Sequence, residues 1–481
     1  MKLYKLLLIL FPIPLAIRIL PELISGTYPL GFDTTVYYIP RMVEGTYLMK
    51  SILDLLKTTS LYYIIETIFY RISSNPILII KFLGPMLYAT MITLIGLYAY
   101  YRLRLSIKWL LILVSISSLS LIGLRLAWDL YRNMLGLIFL ITTLILLNSH
   151  DKRIKYSGVL TSFLAVWSHE LAAVYLIGIL TLATLINFYR NRVLDKVYVS
   201  SIIVSSILFI YQRFNIETYS LNIPHSYIEF SSGLHNTYIG LLFLIYTSII
   251  LIIPSIFSLW NRVEDDILNI WAILTIVLLF TQLIGVKTIL LSRIILMLIL
   301  PLPIYCVKGL EYISGRLSKY KVLPPVLIIL LLASISIPYL ASTPNNPTPY
   351  TKFFYFSVCN EIFYHIPTGY LQNTIPIDNV DDLLEIINYA YNNIPSGSTL
   401  VVPMNFHWIQ FIPNSPTTLN NNINVIYGSV IDMYHSIRSY NGTYYFIWWV
   451  EGSGWYNITE LPENYIVIYE NDVFALYKVI S

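Results

Sequence analysis

The sequence predicts an α-helical multi-span membrane bundle of about 11 transmembrane helices, followed by a small C-terminal extracytoplasmic α/β domain. Only 12% of the 481 residues are charged, about half the fraction found in soluble domains, and the mean hydropathy is +0.68. Uncharged windows such as 238–259 are long enough to cross the hydrocarbon core of a bilayer. The last hundred residues instead mix helical and strand patterns. We therefore expect a transmembrane domain at 1–341 and an extracytoplasmic domain at 342–481.

The first apolar segment resembles a secretory signal in its basic start and apolar stretch, but Pro12, Pro14 and Arg18 stand where a cleavage site needs small residues. We therefore predict a retained first span. The eleven predicted spans lie near residues 3–20, 76–100, 108–124, 133–148, 156–168, 171–188, 197–212, 237–259, 267–286, 289–307 and 323–341.

The basic residues of the short loops predict the orientation of the chain. With a cytoplasmic N-terminus, four basic clusters face the cytoplasm, as short loops of multi-pass cell-membrane proteins require. These clusters are Arg102, Arg104 and Lys108; Lys152, Arg153 and Lys155; Arg190, Arg192 and Lys196; and Lys308, Arg316, Lys319 and Lys321. The long loop 21–75, the segment 213–236 and the C-terminal region then lie on the opposite side.

The C-terminal region carries the pattern of a small α/β domain. The sequence "DDLLEIINYAYNNI" (381–394) has a helical apolar face and acidic residues at its start, and "TLVVPM" follows as a strand. Two β-rich runs surround a turn in "YIVIYENDVFALYKVI". Two glycosylation sequons begin at Asn441 and Asn457, as suits an extracytoplasmic domain. The two cysteines, Cys306 and Cys359, give no disulfide framework or cysteine-based metal site.

Ionisable residues from four separate loops gather at one predicted depth, the extracytoplasmic boundary of the membrane. Charges at this depth are costly unless they are paired, extend to the interface or take part in function. The residues are Asp33; Arg125, Asp129 and Arg132; His169 and Glu170; and Lys287 and Arg293. Their shared depth predicts one extracytoplasmic site.

Each of these residues also has a purely structural explanation. Asp33 could cap a helix that begins at Thr34. Asp129 could form a surface ion pair with Arg125 or Arg132, which contributes little. The others could cap a helical hairpin or anchor helices at the membrane edge, namely His169, Glu170, Lys287 and Arg293.

One chemistry would use the whole set, namely transfer of a sugar from a lipid phosphate. Because phosphate is a good leaving group, one carboxylate suffices as general base on the acceptor. Glycoside hydrolysis, in contrast, needs a second carboxylic acid. Arg293 would hold the departing phosphate, and Tyr37, Tyr38 and Trp128 could stack on sugar faces. Asp33 and Asp129 could also share a divalent ion.

Three motifs resemble the GT-C class of membrane glycosyltransferases, which use polyprenyl (dolichyl) phosphate-linked sugars. They are "GFDTTVYYIPRM" (31–42), "AWDLYRN" (127–133) and "SRIILMLILPLP" (292–303). The resemblance implies Asp33 and Asp129 as catalytic aspartates in successive outer loops, with Asp33 as the general base, and Arg293 as the phosphate-binding residue. Further substrate-binding candidates are Lys287, His169, Glu170, Arg132, Tyr38 and Arg41. The implied partners are the lipid-linked donor, a glycan, lipid or protein acceptor, and membrane lipids, with no nucleic acid.

The oligosaccharyltransferase catalytic subunit, a branch of that class, has a similar outer-loop motif and a Trp-Trp-Asp motif in its C-terminal domain. Here "WWVEG" (448–452) has Val450 in place of the aspartate, and eleven spans are fewer than that enzyme has. Both departures favour transfer of a single sugar over transfer of a whole glycan, which stays the alternative. A transporter or flippase would place ionisable residues near the bilayer midplane in two related halves, and neither feature is present. A third alternative is a non-catalytic assembly protein.

Overall fold

A computed structural model describes residues 3–215, 233–260, 263–284, 291–317, 320–359, 361–364, 366–412, 423–428, 444–450 and 465–479. Lys287 and the two sequons at Asn441 and Asn457 lie outside these residues, as do 451–452 of the "WWVEG" motif.

The first two thirds of the chain is helical. Its helices are α1 (Leu3–Leu10), α2 (Pro12–Ile24), α3 (Ile39–Glu44), α4 (Ile52–Leu56), α5 (Leu61–Ser73), α6 (Pro76–Leu103), α7 (Ile107–Leu119), α8 (Leu121–Asp129), α9 (Tyr131–Leu147), α10 (Lys152–Ser168), α11 (Glu170–Asn191), α12 (Lys196–Asn215), α13 (Gly233–Phe257), α14 (Asp266–Phe280), α15 (Leu291–Leu296), α16 (Pro301–Arg316) and α17 (Leu323–Leu340).

The described helices fit a helical membrane protein. By length and composition, six can cross a bilayer, namely Leu3–Ile24, Pro76–Leu103, Glu170–Asn191, Lys196–Phe214, Gly233–Phe257 and Leu323–Leu340. Two bent helix pairs raise the number to as many as eight, whereas Tyr131–Leu147 and Asp266–Phe280 are apolar but shorter. The count of eleven spans therefore stays a prediction.

Both bends have local causes. The first, of 57°, separates α7 from α8, where Ser120 is extended and its hydroxyl accepts a hydrogen bond from the Gly123 N–H. Ser120 therefore caps a new helix rather than continuing the old one. The second bend, of 43°, falls just before Pro301, where the missing N–H interrupts the helical hydrogen bonds. The first bend directs α8, and with it Asp129, away from the axis of α7.

Charged residues separate to the two ends of the bundle. Helix α11 has 22 residues, a length of about 33 Å at the usual rise, and begins directly after His169. At its far end Arg190 forms an ion pair of 2.6 Å with Asp266, beside the buried pair of 2.8 Å between Arg102 and Asp265. Members of the basic clusters thus lie at the end of α11 opposite His169.

A buried arginine ties four helices together. The Arg18 guanidinium in α2 donates to Glu22 at 2.6 Å, to the carbonyl of Ala127 in α8 at 3.1 Å and to the Tyr131 hydroxyl in α9 at 3.2 Å. Lys81 in α6 donates to the second oxygen of Glu22 at 2.9 Å. Arg18 is fully buried, so these bonds replace the water that its charge has lost.

The C-terminal part forms a five-stranded mixed sheet with the strand order β2-β1-β3-β5-β4. The helices here are α18 (Pro349–Ser357) and α19 (Val380–Asn393), and the strands are β1 (Thr399–Pro403), β2 (Asn424–Gly428), β3 (Tyr444–Trp449), β4 (Tyr465–Glu470) and β5 (Phe474–Val479). Strand β1 is parallel to β2 and β3, whereas β5 is antiparallel to β3 and β4. The helix and strands expected at 381–394, 399–404 and 465–480 are confirmed, and α19 packs on β5.

The segment between α2 and α6 contains a buried carboxyl group, Glu66 in α5. Its side chain is inaccessible to solvent, and neither oxygen has a well-aligned hydrogen-bond partner among the described residues. Burial raises the pKa of Glu66 well above its usual value, and the nearby Tyr62 hydroxyl and the charges of Arg41 and Arg132 offset this only in part. Burial therefore favours the protonated form of Glu66 in the folded protein.

Glu66→Gln is expected to stabilise the protein at high pH. Because the folded protein keeps the proton of Glu66 to a higher pH than the unfolded chain does, stability falls as pH rises above the unfolded pKa. The loss is up to about 1.4 kcal/mol for each pH unit until the folded pKa is reached. Glutamine copies the protonated form and removes this loss. Thermal unfolding of the purified protein at pH 5 and pH 8 would measure it. The exposed Glu44→Gln is the control, and an equal pH dependence in E66Q and the parent would contradict the assignment.

Candidate active site

Gly31 brings the segment after α2 into contact with the end of α8. Its φ is +94°, a conformation that residues with a Cβ rarely adopt. An added Cβ would lie 2.3 Å from the carbonyl oxygen of Trp128 and 2.8 Å from the Cβ of Asp129. Only glycine allows this approach, which holds the backbone two residues before Asp33 against Asp129.

Asp33 precedes one π-helical turn, Thr34–Tyr38, a form that is frequent at functional sites. Its side chain makes no capping hydrogen bond, so the simple capping explanation is not what the structure shows. Instead, Oδ2 lies 3.7 Å from Nη2 of Arg293 in α15. The two side chains keep 20% and 28% of their surface exposed, so both are accessible to a ligand.

Asp129, the last residue of α8, forms an ion pair with Arg125 one turn earlier. The distance between Oδ1 and Nη1 is 2.5 Å, and the guanidinium of Arg125 also lies over the Trp128 ring at 5.3 Å. The i, i+4 pairing was expected from the sequence. The expected location at the surface is wrong, because only 3% of Asp129 is exposed. The ion pair with Arg125 thus replaces water contacts that the Asp129 carboxylate has lost in its buried position.

The surroundings of Asp33 raise its pKa to about 6. Burial is the largest cause, and the negative charge of Asp129 acts in the same direction. The positive charges of Arg293, Arg125 and Arg132 lower the pKa and offset part of the increase. Asp33 is therefore mostly ionised at neutral pH and is a stronger base than a solvated aspartate.

His169, Glu170 and Arg132 extend the site toward α11. His169 Nδ1 accepts the Leu171 N–H at 3.1 Å and caps α11, as one structural explanation expected. Burial, followed by the charges of Arg132, Arg293 and Arg213, holds the pKa of His169 well below its usual value. The imidazole is therefore neutral, with its proton on Nε2. Glu170 pairs with Arg213 at 2.5 Å.

Two of the three aromatic candidates, Tyr38 and Trp128, do not have the role that the sequence suggested. Tyr38 is 2% exposed, with Tyr131 stacked on its ring at 5.5 Å and Tyr62 packed edge-on at 4.9 Å. Trp128 is also 2% exposed and donates to the Tyr370 carbonyl at 3.1 Å. Both rings are buried behind the site and offer no open face to a sugar.

Arg41 lies on the same side as this aromatic cluster. Its guanidinium is 4.8 Å from the centre of the Tyr63 ring and 5.5 Å from that of Tyr37, and its charge acts on Glu66. These contacts place Arg41 against α5, in the wall of the site.

The segment 366–377, which we call the strap, connects the C-terminal part to the Asp33 segment. The Gln372 carbonyl accepts the Gly31 N–H at 3.0 Å and the Trp128 indole N–H at 3.2 Å. Asn373 donates through its side chain to the Pro29 carbonyl at 2.9 Å and through its backbone to the Tyr28 hydroxyl at 3.0 Å. The strap therefore fixes the backbone on both sides of the contact between Gly31 and Asp129.

Within the described residues, no group of three or more His, Cys, Asp or Glu side chains could hold a metal ion. A shared divalent ion at Asp33 and Asp129 would need ligands beyond these two acids. Arg125 already occupies one oxygen of Asp129.

The sequence did not identify two contributors to this site, namely Gly31 and the strap. A glycine two residues before the candidate base was the available signal for the first. The strap is uncharged and has no helical or strand period, so nothing in its sequence pointed to the site.

No protein-family model matches this chain, and no curated protein sequence is significantly similar to it.

Gly31→Ala is expected to destabilise the protein more than Gly26→Ala. Both glycines have positive φ, so each alanine costs about 1 kcal/mol in backbone conformation. Only at Gly31 does the added Cβ meet other atoms, whereas nothing lies within 4 Å of it at Gly26. The clash should add about 1–3 kcal/mol. The melting temperature of each variant is measured from the reaction of the buried Cys306 with a thiol-reactive dye during heating. Equal melting temperatures for the two variants would contradict the close approach at Gly31.

Proposed function

We propose that the chain is a membrane glycosyltransferase that moves a sugar from a polyprenyl-phosphate donor to an acceptor on the extracytoplasmic side. The observation that carries the proposal is the approach of Asp33, in the segment after α2, to Arg293, in α15 and 260 positions later. A base and a phosphate-binding cation are the two groups that this transfer requires.

In the proposed reaction, Asp33 accepts the proton of an acceptor hydroxyl or amide while the acceptor atom attacks the anomeric carbon. The bond between that carbon and the phosphate oxygen breaks, and the polyprenyl phosphate leaves with the electron pair. Arg293 stabilises the charge that develops on the phosphate. Because a single displacement occurs, the configuration at the anomeric carbon is inverted.

The distance between Asp33 and Arg293 supports binding of a ligand between them. At 3.7 Å the pair is longer than a charge-assisted hydrogen bond of about 2.8 Å. A phosphate oxygen can therefore compete for Arg293 and release the carboxylate for the acceptor proton. Asp129 remains paired with Arg125 and acts on Asp33 through its charge, which raises the basicity of Asp33.

The buried tryptophans of the C-terminal sheet favour transfer of a single sugar over the oligosaccharyltransferase-like alternative. Trp448 and Trp449 lie in β3, where they pair with Ala475 and Phe474 of β5, and they are 3% and 8% exposed. They serve as core residues of the sheet and are not available to an acceptor.

Asp33→Asn is expected to lower transfer about a hundredfold or more, the usual contribution of a general base. Transfer would be measured as release of polyprenyl phosphate from a panel of radiolabelled polyprenyl-phosphate sugars by the full chain in liposomes with membrane-extract acceptors. Asp54→Asn is the matched control because Asp54 is an exposed acid in the same α2–α6 segment, paired with Lys57. Undiminished transfer by D33N would reject Asp33 as the base.

The pH profile tests the same role. Since the base works only when ionised, and its pKa is raised to about 6, the rate should fall as pH drops through about 6 and be level above about 7. A profile with no inflection in that range would contradict the assignment.

Arg293→Gln is expected to weaken donor binding about tenfold or more while acceptor binding stays unchanged, because it removes a charge-assisted bond to phosphate. Arg293→Lys keeps the charge but loses the fork geometry, so it should restore binding in part. Donor affinity is measurable by titration of the purified full chain with a fluorescent polyprenyl phosphate. Equal loss of donor and acceptor binding would reject the phosphate-binding role.

A further inference from the structure

Arg132 is shielded from solvent, but it lacks the close carboxylate partner that other shielded arginines of the described residues have. Three of those pairs are Arg18 with Glu22 at 2.6 Å, Arg102 with Asp265 at 2.8 Å and Arg125 with Asp129 at 2.5 Å. For Arg132, no carboxylate oxygen of the described residues lies within the 4.0 Å of an ion pair. A shielded guanidinium without an anion is unfavourable unless a ligand supplies one.

The contacts of Arg132 are with neutral groups. It donates to the Thr59 hydroxyl and, at 3.4 Å, to the Tyr63 hydroxyl, and its guanidinium lies 5.1 Å from the centre of the Tyr63 ring. Its Nε–H is buried and has no hydrogen-bond partner in the described part of the chain. These contacts orient the guanidinium, and the charges of Glu170 and Asp33 act on it only from beyond ion-pair distance.

Arg132 belongs to the site but not to the position of Arg293. The charges of both arginines act on Asp33 and on His169, so both border the same space. Arg132 is held by Thr59 and Tyr63, near the start of α5, whereas Arg293 extends from α15. Two cations from different helices therefore act on Asp33, Arg293 at 3.7 Å and Arg132 from a greater distance.

We infer that Arg132 forms a second anion subsite, which binds a phosphate or carboxylate group separate from the phosphate at Arg293. The identity of the molecule that carries this group rests on the proposed function. It is either an anionic acceptor or a donor with a second phosphate, and both present the same chemistry to the guanidinium.

The subsite can be tested without the transfer reaction, in an Arg293→Gln background that removes the first anion site. The full chain in detergent micelles is titrated with inorganic phosphate at constant ionic strength, and binding is followed by thermal shift. Adding Arg132→Gln should weaken phosphate binding about tenfold, whereas adding Arg132→Lys should weaken it less because the charge remains. Arg71→Gln, an exposed arginine on α5, is the matched control and should leave binding unchanged. Equal phosphate affinity with and without Arg132, or an equal loss in the Arg71 variant, would overturn the inference.

Prenyl probes then identify the source of the anion. With Arg293 intact, tighter binding of farnesyl diphosphate than of farnesyl monophosphate that disappears in R132Q assigns the subsite to a second donor phosphate. The alternative result is equal affinity for the two probes, with inorganic phosphate binding beside farnesyl monophosphate only when Arg132 is present. That result assigns the subsite to an anionic acceptor. Failure of both arms would overturn the subsite. Loss of the preference for farnesyl monophosphate over farnesol would count against the proposed function alone.

Discussion

The buried guanidinium of Arg18 is the interaction on which the geometry of the site depends. It joins the end of α2, which leads into the Asp33 segment, to the Ala127 carbonyl, two residues before Asp129, and to Tyr131 at the start of α9. Glu22 and Lys81 complete its charge balance. Because a buried charge without partners is strongly destabilising, these helix ends have one favourable arrangement. The Arg18 network therefore positions the backbone that carries Asp33 and Asp129 before any ligand binds.

Above this network, the site combines strong and weak pairing of charges. Asp129 is held tightly by Arg125, whereas Asp33 and Arg293 are farther apart and partly exposed. Tight pairing suits a charge that shapes the electrostatic field, and loose pairing suits groups that exchange partners with a substrate. This difference is the physical basis for proposing proton transfer at Asp33 rather than at Asp129.

Much of the architecture could be predicted from the sequence, because apolar length and strand periodicity are local signals. The helix at 381–394 and the strands at 465–480 were identified in this way. The contact between Asp33 and Arg293 was inferred from their common depth in a bilayer. Residues predicted at the same depth can meet even when they are far apart in the sequence. The span number did not follow as directly, because a helix bent at Ser120 and one interrupted near Pro301 have the same composition as straight spans.

The roles of Tyr38 and Trp128 could not be predicted for a different reason. Tyrosine and tryptophan are amphipathic, so they are equally suited to a membrane interface, a sugar-binding surface or a buried cluster. Which of these applies depends on their neighbours, and here the neighbours are Tyr62, Tyr131 and the carbonyl groups of the strap. The strap contacts Trp128 across more than 240 positions of the sequence, a separation that no local pattern reveals.

The strap connects the two parts of the chain that the sequence divides near residue 342. Its backbone satisfies polar groups of Gly31 and Trp128 in the helical part, while the Thr374 hydroxyl donates to the Asn405 carbonyl beside the sheet. A displacement of the sheet would therefore reach the Asp33 carboxylate through a few rigid bonds. The position of the sheet is therefore coupled to the backbone beside Asp33, although no residue of the sheet is needed to contact the carboxylate itself.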